Sequence, residues 1–339
     1  MASIEWLTKR LPPIERIRLR SEPDYYGISH LIAQAVDRPK PPRSFAHWLH
    51  GWIYTDPITH PRELTFWGEP QDTILVVNQE QVQILQEFGF QQVHAAGLPF
   101  IYGNLHTVNR QAQTLLVMPS HSSAYTDQQV NQEEYVKHIL QWKTEFSDIV
   151  FCIHGSCVER GYWIPVLDHY QIPWIIGATT DDRNALIRMN IIFRSFDCVT
   201  SNVIGSHIAY AAYSGCRVSI DGKYASPQMS EFQHDPWYRL YPELLQKHLE
   251  IFHETQIRQR FPQFFVSPMK ATSHEAWGRQ TVGSNYQKTP EELVPLLGWR
   301  PKQQISGYTT RVTRKIRSVF PAKLANTPLT NQYYQSDSP

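Results

Sequence analysis

Histidines and hydroxyl residues collect at the ends of short apolar runs in the middle of this chain. TLLVMPSHSS (114–123) closes on Ser120, His121, Ser122 and Ser123, and DIVFCIHGS (148–156) on His154, Gly155 and Ser156. PWIIGATTDD (173–182) closes on Thr179, Thr180, Asp181 and Asp182. FDCVTSN (196–202) closes on Thr200, Ser201 and Asn202, with Gly205 and Ser206 just beyond. Imidazoles, hydroxyls and helix N-termini on one rim suit a phosphate or diphosphate, because unpaired N–H groups and the helix dipole favour an anion. A single Ser, Thr or Asp at such a point is an ordinary helix cap. Capping does not explain two histidines at strand ends. Gly205 also lets the backbone approach a ligand closely.

HWLHGW (47–52) adds His50, followed by Gly51, as a base able to take a proton from a hydroxyl near neutral pH. Asp56 and Glu63 on the following loop are its carboxylate competitors. Trp48, Trp52, Tyr54 and Trp67 cluster nearby, and two readings stay open for them: stacking on sugar faces, or local core. GxxxxGK[ST], GxGxxG, DxD and HExxH are all absent, so the expectation is a metal-independent site with no cofactor.

The elements that would position these residues follow from the apolar pattern. ILVVN (74–78), the four runs above and CRVSIDG (216–222) are unbroken apolar stretches, as suits strands of a parallel sheet covered on both faces. The intervening segments 79–88, 131–146, 157–170, 183–194 and 204–214 read as helices. Alternation at this spacing implies a doubly wound α/β sheet with right-handed crossovers. Upstream, 25–36 reads as a helix, 45–52 as a strand with its turn, and 92–102 as a strand ending in a Gly-Leu-Pro turn. Residues 103–113 read as an interdomain linker. The expected organisation is a first α/β domain over 20–105 and a second over 112–270. A C-terminal segment, 271–339, would pack back on both and end in a frayed tail.

Length and composition bound the function. The 339 residues leave room for two domains, and 32 basic against 31 acidic residues argue against a nucleic-acid binder. Four cysteines, Cys152, Cys157, Cys198 and Cys216, form no CxxC pair, and three lie in or beside apolar runs, as buried free thiols do. With no signal-peptide h-region and no run long enough to span a bilayer, a cytoplasmic location is expected. TTRVTRKIRSVF mixes Arg311, Arg314, Lys315 and Arg317 with Val312, Ile316, Val319 and Phe320. It reads either as a solvated helix packed on the body or as a basic amphipathic helix resting, through 311–320, on the inner membrane face.

The pairing of HGS (154–156) with TSN (200–202) resembles the HP and SS/ST motifs of bacterial sialyl-, polysialyl- and Kdo-transferases, with Gly155 in place of the proline. His50-Gly51 is similar to the WHG-type motif of polyol-phosphate transferases of wall teichoic acid synthesis. VHAAGLPFIY resembles the G-x-P turn that ends their first domain. SFDCVTSNVIGSHIAYAAYSGCRVSI looks like the donor-binding stretch of surface-polysaccharide enzymes. The resemblance implies a GT-B fold: two Rossmann-like, doubly wound α/β domains facing a cleft, with the C-terminal segment returning to the first. It also implies that His154 and Ser201, with Thr200, contact the nucleotide phosphate. The expected protein is an inverting glycosyltransferase of bacterial surface or capsular polysaccharide. It would move a sugar from a nucleotide-sugar donor to a glycan or lipid-linked acceptor. His121, Ser122, His154, Ser156, Thr200, Ser201, Asn202, Gly205 and Ser206 would hold the nucleotide, and His50 or Asp56 would be the base. The alternatives are a polyol-phosphate transferase or nucleotide-sugar epimerase on the same fold, and a non-catalytic glycan-binding or scaffold protein of a polysaccharide cluster.

Overall fold

The computed structural model describes residues 4–122, 125–126 and 130–319, the last four of these as backbone only. Ser123, Phe320, the side chains of the basic stretch from 316 onward and the expected frayed tail lie outside the described residues. The chain opens with α1 (Glu5–Thr8), a 3-10 segment (Glu22–Gly27) and α2 (Ile28–Ala35). Three parallel strands follow, β1 (His47–Trp48), β2 (Thr73–Val76) and β3 (Gln92–Ala95), in spatial order β1-β2-β3, with α3 (Gln79–Glu87) linking the last two. Asn78 caps α3 by accepting from the Gln81 N–H. Ile74, Leu75 and Val76 are wholly buried, as an unbroken apolar run predicts.

The second sheet is larger. It runs through β4 (Gln111–Val117), α4 (Gln132–Leu140), β5 (Asp148–Ile153), α5 (Gly155–Glu159), α6 (Ile164–His169) and β6 (Trp174–Ile176). It continues with α7 (Ala185–Ser195), β7 (Phe196–Ser201), α8 (Ser206–Tyr213) and β8 (Arg217–Ile220). These five strands are parallel in the order β6-β5-β4-β7-β8. An excursion of α9 (Pro236–Leu240), α10 (Pro242–Ile251) and α11 (Glu254–Arg260) leads to β9 (Thr272–Ser273), antiparallel beside β8.

Two local readings change. The expected helix 157–170 is two helices, because Gly161 (φ +72°) and Trp163 (φ +71°) leave the helical region and Pro165 opens α6. β4 begins at Gln111, inside the stretch read as linker, where Gln111 pairs with Phe196.

After β9, α12 (Glu275–Thr281) lies on α8, with Gly278 close enough that a Cβ would meet the Tyr213 nitrogen at 2.2 Å. The chain then crosses to the first sheet, where Leu98 N–H donates to Val282 O at 2.9 Å. α13 (Pro290–Leu296) and α14 (Pro301–Val319) continue along the first unit. Phe45 N–H donates to Leu297 O at 3.1 Å, and Arg314 forks onto Asp72. One apolar core runs through both sheets, from Leu75 and Val76 to Val199 and Val218. A second lies on the other face of the large sheet, around Leu115, Phe151 and Ile153. The four cysteines are buried thiols outside any disulfide. No helix among the described residues is long and apolar enough to cross a membrane.

Candidate functional site at the reversal of strand order

In an open parallel sheet, ligands bind beyond the carboxyl ends of the strands where the order reverses, because neighbouring crossovers leave to opposite faces there. Here the reversal falls between β4 and β7. Their ends are stitched together: Met118 N–H donates to Thr200 O at 2.9 Å, Ser201 Oγ to Met118 O at 2.7 Å, and Ser120 N–H to Asn202 Oδ1 at 2.8 Å. Two polar atoms of this stitch are left over. Ser120 Oγ and Asn202 Nδ2 are buried with no hydrogen-bond partner among the described residues. Leaving such a group unpaired costs about 1–3 kcal/mol, so both atoms favour a ligand that bonds them. α8 starts at the same point with Gly205 as its N-cap and no side chain bonding its first N–H groups.

Three imidazoles surround the stitch. His154 caps α5, its Nδ1 lying 3.2 Å from the Ser156 nitrogen and 2.7 Å from Ser156 Oγ, which donates onward to Ser122 O. His121 stacks on His154 with ring centroids 4.5 Å apart. His207, in the first turn of α8, places Nε2 2.9 Å from Ser201 Oγ. The Ser201 proton already goes to Met118 O, so His207 donates to Ser201 from Nε2. Burial, with the neighbouring His121 adding to it, holds His154 and His207 down at about 3 each. Both rings are therefore neutral at neutral pH.

The first unit reaches this cluster directly. Trp52 N–H donates to Ser206 Oγ at 2.9 Å, and Tyr210 of α8 donates its hydroxyl to His50 O at 2.9 Å. A Cβ on Gly51 would stand 3.1 Å from Ser206 Oγ, so glycine allows this approach. His50 Nδ1 is buried without a partner. Burial lowers the His50 pKa and the Glu22 charge partly offsets it, leaving a neutral ring able to accept a proton.

His50, His121, Ser122, His154, Ser156, Ser201, Asn202, Gly205 and Ser206 thus sit on elements converging at the reversal, but several are otherwise engaged. Thr200, expected at the phosphate, is wholly buried and accepts from Ser219 Oγ at 2.8 Å within the sheet. The Ser201 hydroxyl is filled by Met118 O, Val203 N–H and His207. Ser206 Oγ holds the first unit. Asp56, the alternative base, is exposed on a loop that Lys247 of α10 ties down through Pro57 O and Thr59 Oγ1, and no hydrogen bond among the described residues joins it to the cluster. Glu63 is a cap, accepting from the Thr59 and His60 N–H groups and from Lys247.

The end of β6 is not an open rim either. Residues 12–26 strap it: Ile17 N–H donates to Asp181 O at 2.8 Å, Tyr26 N–H to Thr180 O at 2.7 Å and Glu15 N–H to Asp182 Oδ1 at 2.9 Å. Trp48 is core and donates to Gly97 O, while Trp52 and Tyr54 pack among Phe252, Phe261 and Trp277 between the units. His207 was missed in the sequence reading. Its place one residue after Ser206, in the first turn of a helix leaving a strand end, was the available signal.

The sequence matches no family model and no curated protein. Among solved structures it is similar to the pneumococcal O-GlcNAc transferase GtfA in complex with UDP and GlcNAc, at 13% identity over 78% of this chain and 52% of that one, TM-score 0.33. It is similar to the wall teichoic acid polymerase TagF (12% identity, 82% and 69% covered, TM-score 0.34). It is also similar to S. aureus MnaA with UDP (13% identity, 79% and 78% covered, TM-score 0.33). The chain spans about half the length of the pneumococcal transferase. Two parallel α/β units meeting at one site, with the C-terminal helices returning to the first, make a GT-B-like arrangement.

Proposed function

We propose that the chain is a glycosyltransferase that uses a nucleotide-sugar donor and a glycan or lipid-linked acceptor. The observation that carries this is the under-satisfied polar cluster at the β4–β7 reversal, where Ser120 Oγ and Asn202 Nδ2 lack partners beside the uncapped start of α8. The donor phosphate would lie there, on the second unit (112–270), with His121 and His154 at its edge. The acceptor would enter from the first unit (20–105), at His50. In the inverting form of the reaction, the acceptor oxygen attacks the anomeric carbon from the face opposite the phosphate. The bond from that carbon to the phosphate oxygen breaks, the electron pair leaves with the nucleoside phosphate, and His50 takes the acceptor proton. Fixed donors aimed at the departing phosphate are the main source of rate in such a site. Transfer without a metal and a cytoplasmic setting belong to the same proposal. So does peripheral contact of α14 with the inner membrane face, which its exposed Ile305 and Val312 beside Arg311 support.

The test is a thermal-shift panel of CMP, CDP, UDP and GDP on the full chain. One nucleotide is expected to raise the midpoint, since a ligand at a hundredfold excess over its Kd stabilises by about 2.7 kcal/mol. Asn202→Asp keeps the acceptor for Ser120 N–H but turns the free donor into a like charge, and is expected to weaken that nucleotide at least ~10-fold. No shift with any of the four, or an unchanged affinity in Asn202→Asp, would remove the phosphate from this site.

A further inference from the structure

The ring of His50 belongs to a longer row of rings. Tyr25 meets it edge-on at 5.4 Å and Tyr26 lies 5.8 Å away. Phe66 stacks against it at 6.0 Å, Trp237 meets Phe66 at 5.5 Å, and Tyr241 meets Trp237 at 5.6 Å. The six come from stretches far apart in sequence: the 3-10 segment before α2, the loops after β1, and α9 with the residue that follows it. All six are half-buried, unlike rings that simply fill core, such as Trp48, Phe100 and Phe193. Nor is the row satisfied within the protein. His50 Nδ1 and Trp237 Nε1 are both covered and both without a hydrogen-bond partner. At one end the row is held firmly, because Tyr26 sits at φ +57° with its N–H on Thr180 O.

Flat apolar faces edged by unused hydrogen-bonding atoms match a pyranose ring, whose C–H face stacks on aromatic carbon while its hydroxyls reach polar groups at the rim. An acyl chain would gain nothing from the two unpaired nitrogens, His50 Nδ1 and Trp237 Nε1. We infer that Tyr25, Tyr26, His50, Phe66, Trp237 and Tyr241 form a binding track for successive sugar residues of the acceptor glycan, leading away from the candidate base across α9. The direction of the track rests on the transferase reading; the binding of sugar faces does not.

Saturation-transfer NMR on the full chain, with cellotetraose, maltotetraose and chitotetraose each at millimolar concentration, tests this. At least one tetrasaccharide is expected to take up saturation at its pyranose C–H protons. Trp237→Ala and Phe66→Ala are each expected to weaken it about tenfold, while Trp237→Phe, which keeps a ring, retains most of the binding. An unchanged thermal midpoint confirms that each variant is folded. The track is overturned if no tetrasaccharide takes up saturation, or if both alanine variants bind as the wild type does. The nucleotide panel on the same samples separates the two readings. Sugar binding without any nucleotide shift leaves the track standing and removes the transferase, whereas a nucleotide shift without sugar binding does the reverse.

Discussion

His154 and His207 are held at about 3 by burial and by the neighbouring His121 ring, so the site presents neutral imidazoles. His207 has already committed its Nε2 proton to Ser201. A phosphate bound among these rings supplies the counter-charge they lack, and an adjacent anion raises an imidazole pKa. A rise of about 1–3 units from about 3 keeps the rings neutral at pH 7. Nucleotide binding is therefore expected to take up protons below about pH 6, and by linkage affinity is expected to strengthen as pH falls from about 6 to about 4. Calorimetry in two buffers of different ionisation enthalpy reads the uptake directly. His207→Gln, which keeps a donor toward Ser201 but cannot gain a proton, is expected to reduce it. Identical binding heats in the two buffers would mean that the rings stay neutral and the phosphate is held by N–H and O–H donors alone.

At the scale of elements, the sequence reading was strongest where the physics is local. Unbroken runs such as ILVVN and DIVFCI mark parallel strands because both faces of each strand must be covered; β2 starts one residue before the first run and β5 coincides with the second. Gly161 and Pro165 punctuate the chain between α5 and α6, while the pattern that reads as one helix over 157–170 runs across both. Thr200 and Ser201 show what local reasoning left out: neighbours in a strand face opposite sides, so both hydroxyls could not share one role. The Tyr25, Phe66 and Trp237 row was not legible at all, since it exists only once three distant segments are packed.

The strap over the end of β6 was equally hidden, and it depends on one glycine. Gly27 takes φ +83°, and a Cβ there would stand 2.0 Å from Arg183 O. Gly161 has a similar φ of +72° but open space around it. Gly161→Ala is expected to cost only the backbone strain, about 1 kcal/mol. Gly27→Ala adds displacement of the strap and is expected to cost ~3 kcal/mol or more. Urea unfolding of both variants checks this. Equal losses would mean that the close approach at Gly27 carries no stability.

For the whole molecule, the two sheets share one apolar core, and the C-terminal helix is fastened to the first unit by charge. Arg314 of α14 forks onto Asp72 at 2.8 and 3.1 Å, and the His47 ring lies 3.0 Å from Glu22 and 3.7 Å from Asp72. Glu22 also accepts the Trp48 N–H, so the network joins the 3-10 segment, β1, the turn before β2 and α14. Burial opposes a charged His47, but Glu22 and Asp72 outweigh it and raise its pKa to about 10. Asp72 is shifted the other way: burial works against its charge, but His47 and Arg314 hold its pKa well below the usual carboxylate range.

The signs follow from linkage. A histidine raised on folding contributes fully below its unfolded value of about 6.5, and that contribution fades as pH rises through about 10. A lowered aspartate contributes above its unfolded value of about 3.9 and is lost as pH falls through its folded pKa. The network is therefore expected to stabilise most between about pH 4 and 6.5. His47→Gln removes the switching charge and leaves Arg314 on Asp72. Its thermal midpoint is expected to fall below wild type by several degrees near pH 6, with the gap closing as pH rises toward about 10. A gap of the same size at pH 6 and pH 10 would show that His47 acts by packing rather than charge. The fastening of α14 would then rest on the Arg314–Asp72 fork.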